Sequence, residues 1–386
     1  MNVQGTPRRQ RRSILIGAAF VCVLLLVLCS LVLRKKDMDT PTATARQPAA
    51  VATGQQRSNS HGEVTSAIDA ALRNLRSTRD PAEAQARLEG LRRSLQGLPP
   101  NVAAAGIRAF LDSKADAASH GQFKVGVGGF LTECPSLRVF LLDYLAQVDS
   151  ATAASYATTV LASMESPDEW AVALRSYARG NSISESRSFL EQKFKAMLTH
   201  EPWVAEPSAG FLEAFDVAVY VGGTTLVPEM ADLVRRTNNQ PVAHAAYLAL
   251  DRLTISDAAG TLATFQADPH LLQGREATRA NYFARADVRD ARQLQVLEEY
   301  LLNPAIQPAE LERFAGLYPN ANFMVSHNLL TSVATPDRAW LTARDAAALR
   351  LVQQWLAEPR FERLKPPLET IRHRLETFVQ QANRSP

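Results

Sequence analysis

The sequence predicts an all-α fold, a helical-hairpin array standing behind one N-terminal apolar span. Three observations carry that reading. Apolar residues recur at three- and four-residue steps through most of residues 63–386. Helix-start signatures of cap residue, proline and acid repeat along the chain. No stretch sustains the two-residue alternation of a half-buried strand. With 46% hydrophobic and 21% charged residues over 386 positions, the composition is that of a globular chain.

Residues 1–13 form a basic tail, with Arg8, Arg9, Arg11 and Arg12 ahead of an uncharged run from Ile14 to Leu33. A helix of that length reaches about 30 Å, the depth of a bilayer's hydrocarbon core. A cleaved signal wants a shorter core followed by small residues, whereas Arg34, Lys35 and Lys36 follow here. A lipoprotein wants a small residue before its cysteine, and Cys29 follows Leu28. Residues 14–33 are therefore expected as an uncleaved transmembrane signal-anchor. The basic tail is expected in the cytoplasm and the rest outside the plasma membrane. With 35 Arg against seven Lys, the composition resembles a GC-rich bacterial proteome, which would place the anchor in the inner membrane and the body in the periplasm.

Residues 34–62 turn to Thr, Ala, Gln, Pro and Ser without apolar periodicity and are expected as a disordered linker. From residue 63 the helices begin. Val64, Ile68, Ala71, Leu72 and Leu75 make one stripe, and Leu137, Phe140, Leu141, Tyr144, Leu145 and Val148 a second. Leu190, Phe194, Met197 and Leu198 make another, and Leu368, Ile371, Leu375, Phe378 and Ala382 the last. Asp80-Pro81, Ser166-Pro167 and Thr335-Pro336 each place a capping side chain before proline at the first helical position. Ser182 with Glu185 reads as a capping box. Phe211 to Val221 is apolar on most sides, so it is expected as a central core helix stopped by Gly222-Gly223.

Starts fall near residues 63, 81, 101, 135, 151, 167, 184, 208, 226, 241, 255, 275, 289, 308, 323, 336 and 361. Spaced about 19 residues apart, such helices would pair into hairpins of about 37 residues. In that period residues 63–386 resemble a degenerate HEAT- or armadillo-type α-solenoid. The resemblance implies a stack of helical hairpins whose extended surface binds another protein.

Charge and side-chain inventory limit the chemistry. Residues 1–36 hold seven basic residues and no acid, leaving 35 basic against 39 acidic in the remainder. Such a body is not expected to bind nucleic acid. Beyond Cys22 and Cys29 in the apolar run there is only Cys134, so the body has no internal disulfide or paired-cysteine site. The histidines at 61, 120, 200, 244, 270, 327 and 373 are too dispersed for a local metal motif. No nucleophile or cofactor signature appears, and no cofactor is expected. Glu165, Asp168 and Glu169 crowd together, but a helix start explains them better than a carboxylate pair.

One segment breaks the helical rhythm. Residues 114–133 are expected as a Gly-rich insertion, with Gly121, Gly126, Gly128 and Gly129 in nine positions. Phe123, Val125 and Val127 alternate, which suits a short β-ribbon or a tucked loop. A Gly-x-Gly-Gly run beside Lys124 could also cradle an anion on backbone N–H groups. Phe123, Lys124, Gly126, Gly128, Gly129 and Phe130 are the candidate contact residues for a protein partner. Together these readings give a single-pass membrane protein acting as an extracytoplasmic scaffold or adaptor. The alternative is an enzyme whose site is assembled from distant segments of an all-helical body.

Overall fold

The helix starts spelled by cap and proline lead into the structure, a computed structural model that describes residues 50–236 and 238–384. Asp80 accepts from the Ala82 N–H at 3.0 Å and opens a helix at Pro81. Ser166 accepts from Glu169 N–H at 3.3 Å and opens another at Pro167. At Ser182 the backbone N–H and the hydroxyl both donate to Glu185 Oε2, at 3.4 and 2.6 Å. The third cap differs from expectation: Asp337, not Thr335, accepts from the Trp340 N–H at 2.7 Å, and the helix begins at Arg338.

The fold is all-helical. Helices α1 (Ala50–Ser77), α2 (Pro81–Gln96) and α3 (Pro100–Asp112) precede a two-stranded ribbon, β1 (Lys124–Val125) and β2 (Leu131–Glu133). Then come α4 (Leu137–Val148), α5 (Ser150–Val160), α6 (Pro167–Gly180), α7 (Ile183–Leu198) and α8 (Glu201–Ala205). Short α9 (Ala209–Glu213) and α10 (Asp216–Val221) lead to α11 (Val227–Arg235), α12 (Gln240–Ser256) and α13 (Ala258–Ala267). Next are α14 (Glu276–Phe283), α15 (Ala291–Leu302) and α16 (Pro308–Leu317). A second ribbon, β3 (Ser326–His327) and β4 (Ser332–Val333), is followed by α17 (Arg338–Ala357) and α18 (Lys365–Arg384).

Helices pack mainly on neighbours one or two places along the chain. α5 lies on α6, α11 on α12 and α17 on α18, while α4 meets α6, α14 meets α16 and α16 meets α18. One hydrophobic core runs through the body from Val64 to Leu375. Aromatic rings hold its centre: Phe194 and Phe211 each meet Phe215 edge-on, at 5.4 and 5.8 Å, and Phe283 stacks on Tyr300 at 3.9 Å.

Three helices depart from expectation. α1 starts at Ala50 rather than residue 63, so the last part of the segment expected as linker carries helical backbone. Once the Val64–Leu75 stripe has nucleated a helix, each added residue gains a hydrogen bond without a new nucleation cost. The apolar stretch from Phe211 to Val221 is two short helices, α9 and α10, broken at Ala214–Phe215, with Gly222 at φ +65° closing the second. The helix expected near residue 323 is absent; β3 and β4 stand there instead, in an antiparallel pair with Ser326 opposite Val333. Asn320, Asn322 and Asn328 bond locally there, as with the Asn322 N–H on Asn320 Oδ1 at 3.0 Å, and such bonds compete with a helix. The basic tail 1–13, the span 14–33 and linker residues 34–49 lie outside the described residues. Among the described residues no helix is long and apolar enough to cross a membrane.

Candidate functional site

The Gly-rich insertion is bound to the body from both sides. β1 and β2 pair antiparallel with Lys124 opposite Glu133, and Lys124 Nζ lies 3.2 Å from Glu133 Oε1. Phe123 is buried, packed beside Gly210 of α9. The Phe130 ring meets the guanidinium groups of Arg175 and Arg179, at 4.8 and 4.7 Å from the ring centre. Arg175 Nη1 donates to the Gly129 carbonyl at 2.8 Å and to Asp143 Oδ1, and that carboxylate oxygen also accepts from the Leu131 N–H at 3.1 Å. Both members of this ion pair are fully buried.

Those contacts replace the anion cradle that the glycines suggested. The Gly129 N–H is spent on the Gly126 carbonyl at 3.0 Å, and the carbonyls of Gly128 and Gly129 face arginines. Gly126 is hemmed in by Thr132, whose Cγ2 would stand 2.5 Å from an added Cβ. Of the candidate contact residues, Phe123, Gly129 and Phe130 are turned to this chain's own body, and Lys124 and Gly128 remain exposed. The most exposed large apolar side chain here is Val127, at 79%.

The acidic cluster is dispersed in the same way. Glu165 Oε1 accepts from Lys114 Nζ at 2.6 Å, and that hydrogen bond holds its carboxyl below the usual range. Asp168 accepts from Ser208 Oγ and the Gly210 N–H at 2.6 and 2.9 Å. Glu169 takes both ends of the Arg138 guanidinium, at 2.8 and 3.0 Å. Cys134 is buried, and burial pushes its thiol far above the ordinary value. Among the described residues no three His, Cys, Asp or Glu side chains converge as a metal site.

Opposite the insertion lies a strap, residues 320–337, that carries β3 and β4. Its turn is pinned by Asp216 of α10: Oδ2 accepts from the Leu330 and Thr331 N–H groups at 2.7 and 2.8 Å, and Oδ1 from the Thr331 hydroxyl. Leu329 is buried at the tip, against Gly129. The strap thus closes over α6 and α10, far from its sequence neighbours.

At the strap's other end is a pocket of about 500 Å³. Its floor and walls come from the end of α12 (Thr254), the turn after α14 (Arg285, Asp287), Gln293 of α15 and the first turns of α17 (Trp340, Arg344). Asn320, Phe323 and Ser332 of the strap complete it. Phe323 and Trp340 meet edge to face at 6.0 Å. Arg285 lies 5.6 Å from the Phe323 ring centre, and Arg289 and Arg344 lie 4.8 and 5.5 Å from that of Trp340.

Most of the charge is neutralised within the wall. Arg285 forms a two-pronged pair with Asp251, at 2.6 and 2.7 Å, and donates to the Asn322 carbonyl at 2.8 Å. Asp287 is partly buried, which opposes ionisation, but the Arg289 hydrogen bonds outweigh this and hold its carboxyl below the usual range. Arg344 is different. Its Nη1 and Nη2 donate to the carbonyls of Asn320 and Arg285, each at 2.9 Å, and its buried Nε has no hydrogen-bond partner among the described residues. Burial pulls its guanidinium below its ordinary value.

Such a pocket can bind a small group by aromatic contact, hydrogen bonds and charge. Sequence reading passed over Arg285, Phe323, Trp340 and Arg344. They are scattered over 60 positions, and the cue was the run of asparagines around Phe323 that argues against a helix. Comparison with protein-family models, with curated proteins and with solved structures yields no match to this chain.

Proposed function

We propose that this protein is a binding scaffold, a HEAT-like array of helical hairpins tethered to a membrane by residues 14–33, whose strap-framed pocket receives part of a protein partner. One observation supports the binding role above the rest: a pocket of about 500 Å³ that pairs two aromatic side chains with arginine, built from segments otherwise remote in the chain. Pockets of this volume are the ordinary size of a recognition site, and this one mixes apolar with polar and charged side chains. The tether rests on the uncharged run from Ile14 to Leu33 and its basic flank. Helices packed on their sequence neighbours support the array reading. The Gly-rich insertion, read from sequence as the contact element, serves in this proposal to hold the strap.

The test is photo-crosslinking in cells with a photoreactive aromatic residue in place of Trp340, compared with the same residue at exposed Ser94 of α2. A discrete adduct from position 340 and none from position 94 is expected. Equal labelling from both, or none from 340, would overturn the binding role. A reporter active only outside the cytoplasm, fused after Pro386, tests the tether: activity is expected, and inactivity contradicts the orientation.

A further inference from the structure

We infer that the pocket recognises a monoanionic carboxylate carried on an apolar or aromatic body, and that Arg344 is the group that receives it. The inference rests on the pocket being the recognition site. Arginine has five N–H donors. Arg344 spends two on backbone carbonyls, leaves Nε unpartnered, and forms no ion pair with any described carboxylate. It is 2% exposed. Asp287 and Asp345 act on it through space alone, without a hydrogen-bonded pair. A buried guanidinium compensated only in that way is costly, and an entering carboxylate would offset that cost.

The other charged groups of the wall are already engaged. Arg285 is held by Asp251, Asp287 by Arg289, and Asp337 caps α17. Asp345, next along α17, is half-buried with its carboxyl raised by desolvation, which weakens it as a counter-ion. Among the described residues of the wall, Arg344 is the one cation outside an ion pair, which favours one negative charge; a phosphate dianion would call for a second cation, and Arg285 is engaged by Asp251. The body of the ligand is set by Phe323 and Trp340, whose edge-to-face pair offers an apolar wall beside the guanidinium. Gln293 lines the same space; its Oε1 already accepts from the Asp287 N–H at 2.8 Å, so its amide NH2 is what it offers a polar substituent.

The experiment is calorimetric titration of the full-length protein with phenylacetate and with its neutral twin phenylacetamide. Saturable phenylacetate binding is expected, at least tenfold tighter than the amide. Arg344→Gln should reduce the preference to near unity. Because that variant removes buried hydrogen bonds, Ser332→Trp serves beside it: Ser332 is exposed at the pocket rim, so a tryptophan there obstructs entry and leaves the Arg344 contacts intact. Loss of binding in Ser332→Trp with unchanged melting supports the assignment. Equal binding of acid and amide, lost in Ser332→Trp, overturns the anion inference and leaves the pocket as a binding site. Phenylacetate binding that Ser332→Trp leaves untouched overturns it too, as does no binding of either probe.

Discussion

Arg179 in α6 donates from Nη2 to the carbonyl of Leu329, 150 residues further along the chain, at 3.0 Å. The same nitrogen reaches the Gly128 carbonyl, and the guanidinium covers the Phe130 ring. One side chain therefore fastens two non-helical segments, the insertion and the strap, that interrupt the array at widely separated points. Asp216 fixes the strap from the neighbouring α10. The pocket wall formed by Phe323 and Ser332 depends on that strap being held in place.

The two adjacent glycines should respond differently to alanine. Both have positive φ, 72° at Gly128 and 75° at Gly129. At Gly128 an added Cβ meets nothing nearer than Phe130 Cδ2 at 3.9 Å, so only backbone strain of about 1–2 kcal/mol is expected. At Gly129 it would stand 2.2 Å from the Leu329 carbonyl oxygen and 2.9 Å from that of Asn328. Gly129→Ala must also displace the strap, so urea unfolding should place it well below Gly128→Ala. Equal losses would contradict the strap's position.

The Asp143–Arg175 pair should be costly to break and cheap to replace. Removing one partner leaves a buried charge, so Asp143→Leu or Arg175→Met alone should each cost about 3–5 kcal/mol. The double variant should recover part of that loss in a double-mutant cycle, since neither charge is then left behind. Additive losses would mean that the two groups act separately despite full burial.

Glu213 gives a pH prediction with a definite sign. Burial raises its carboxyl above 4.5, with Asp216 adding to the rise and Arg252 opposing it. The folded state then holds the proton more tightly than the unfolded chain. Its contribution is fully present below the unfolded value and is lost as pH rises through the folded value. Glu213→Gln should therefore be more stable than the parent at pH 7 and level with it at pH 4. Denaturation midpoints at the two pH values decide it; a difference that persists at pH 4 would contradict the assignment.

Much of the helical body could be read from residues. Asp80 and Ser166 marked their helices because a short acceptor before proline has a local use, satisfying a free N–H of the first turn. The alternation of Phe123, Val125 and Val127 suited a ribbon or a tucked loop; the structure has the ribbon, with Val127 in the tight turn that joins its strands. The strap was not legible. Its fixing points are Asp216 and Arg179, and neither position signals a partner more than 100 residues away. The pocket was hidden for the same reason: Arg344 looks like an ordinary helix-surface arginine until α17 packs it beneath the strap. Local chemistry writes caps and turns into a sequence, whereas long-range closure appears only when the chain is assembled.

The central claim, that the strap-framed pocket is where a partner sits, is tested most directly by the adduct yield from a photoreactive residue at position 340, measured with and without Ser332→Trp. The account predicts that the tryptophan abolishes the adduct while the urea midpoint stays where it was. An undiminished adduct at an unchanged midpoint would show that the partner contacts position 340 without entering the pocket, and would contradict it.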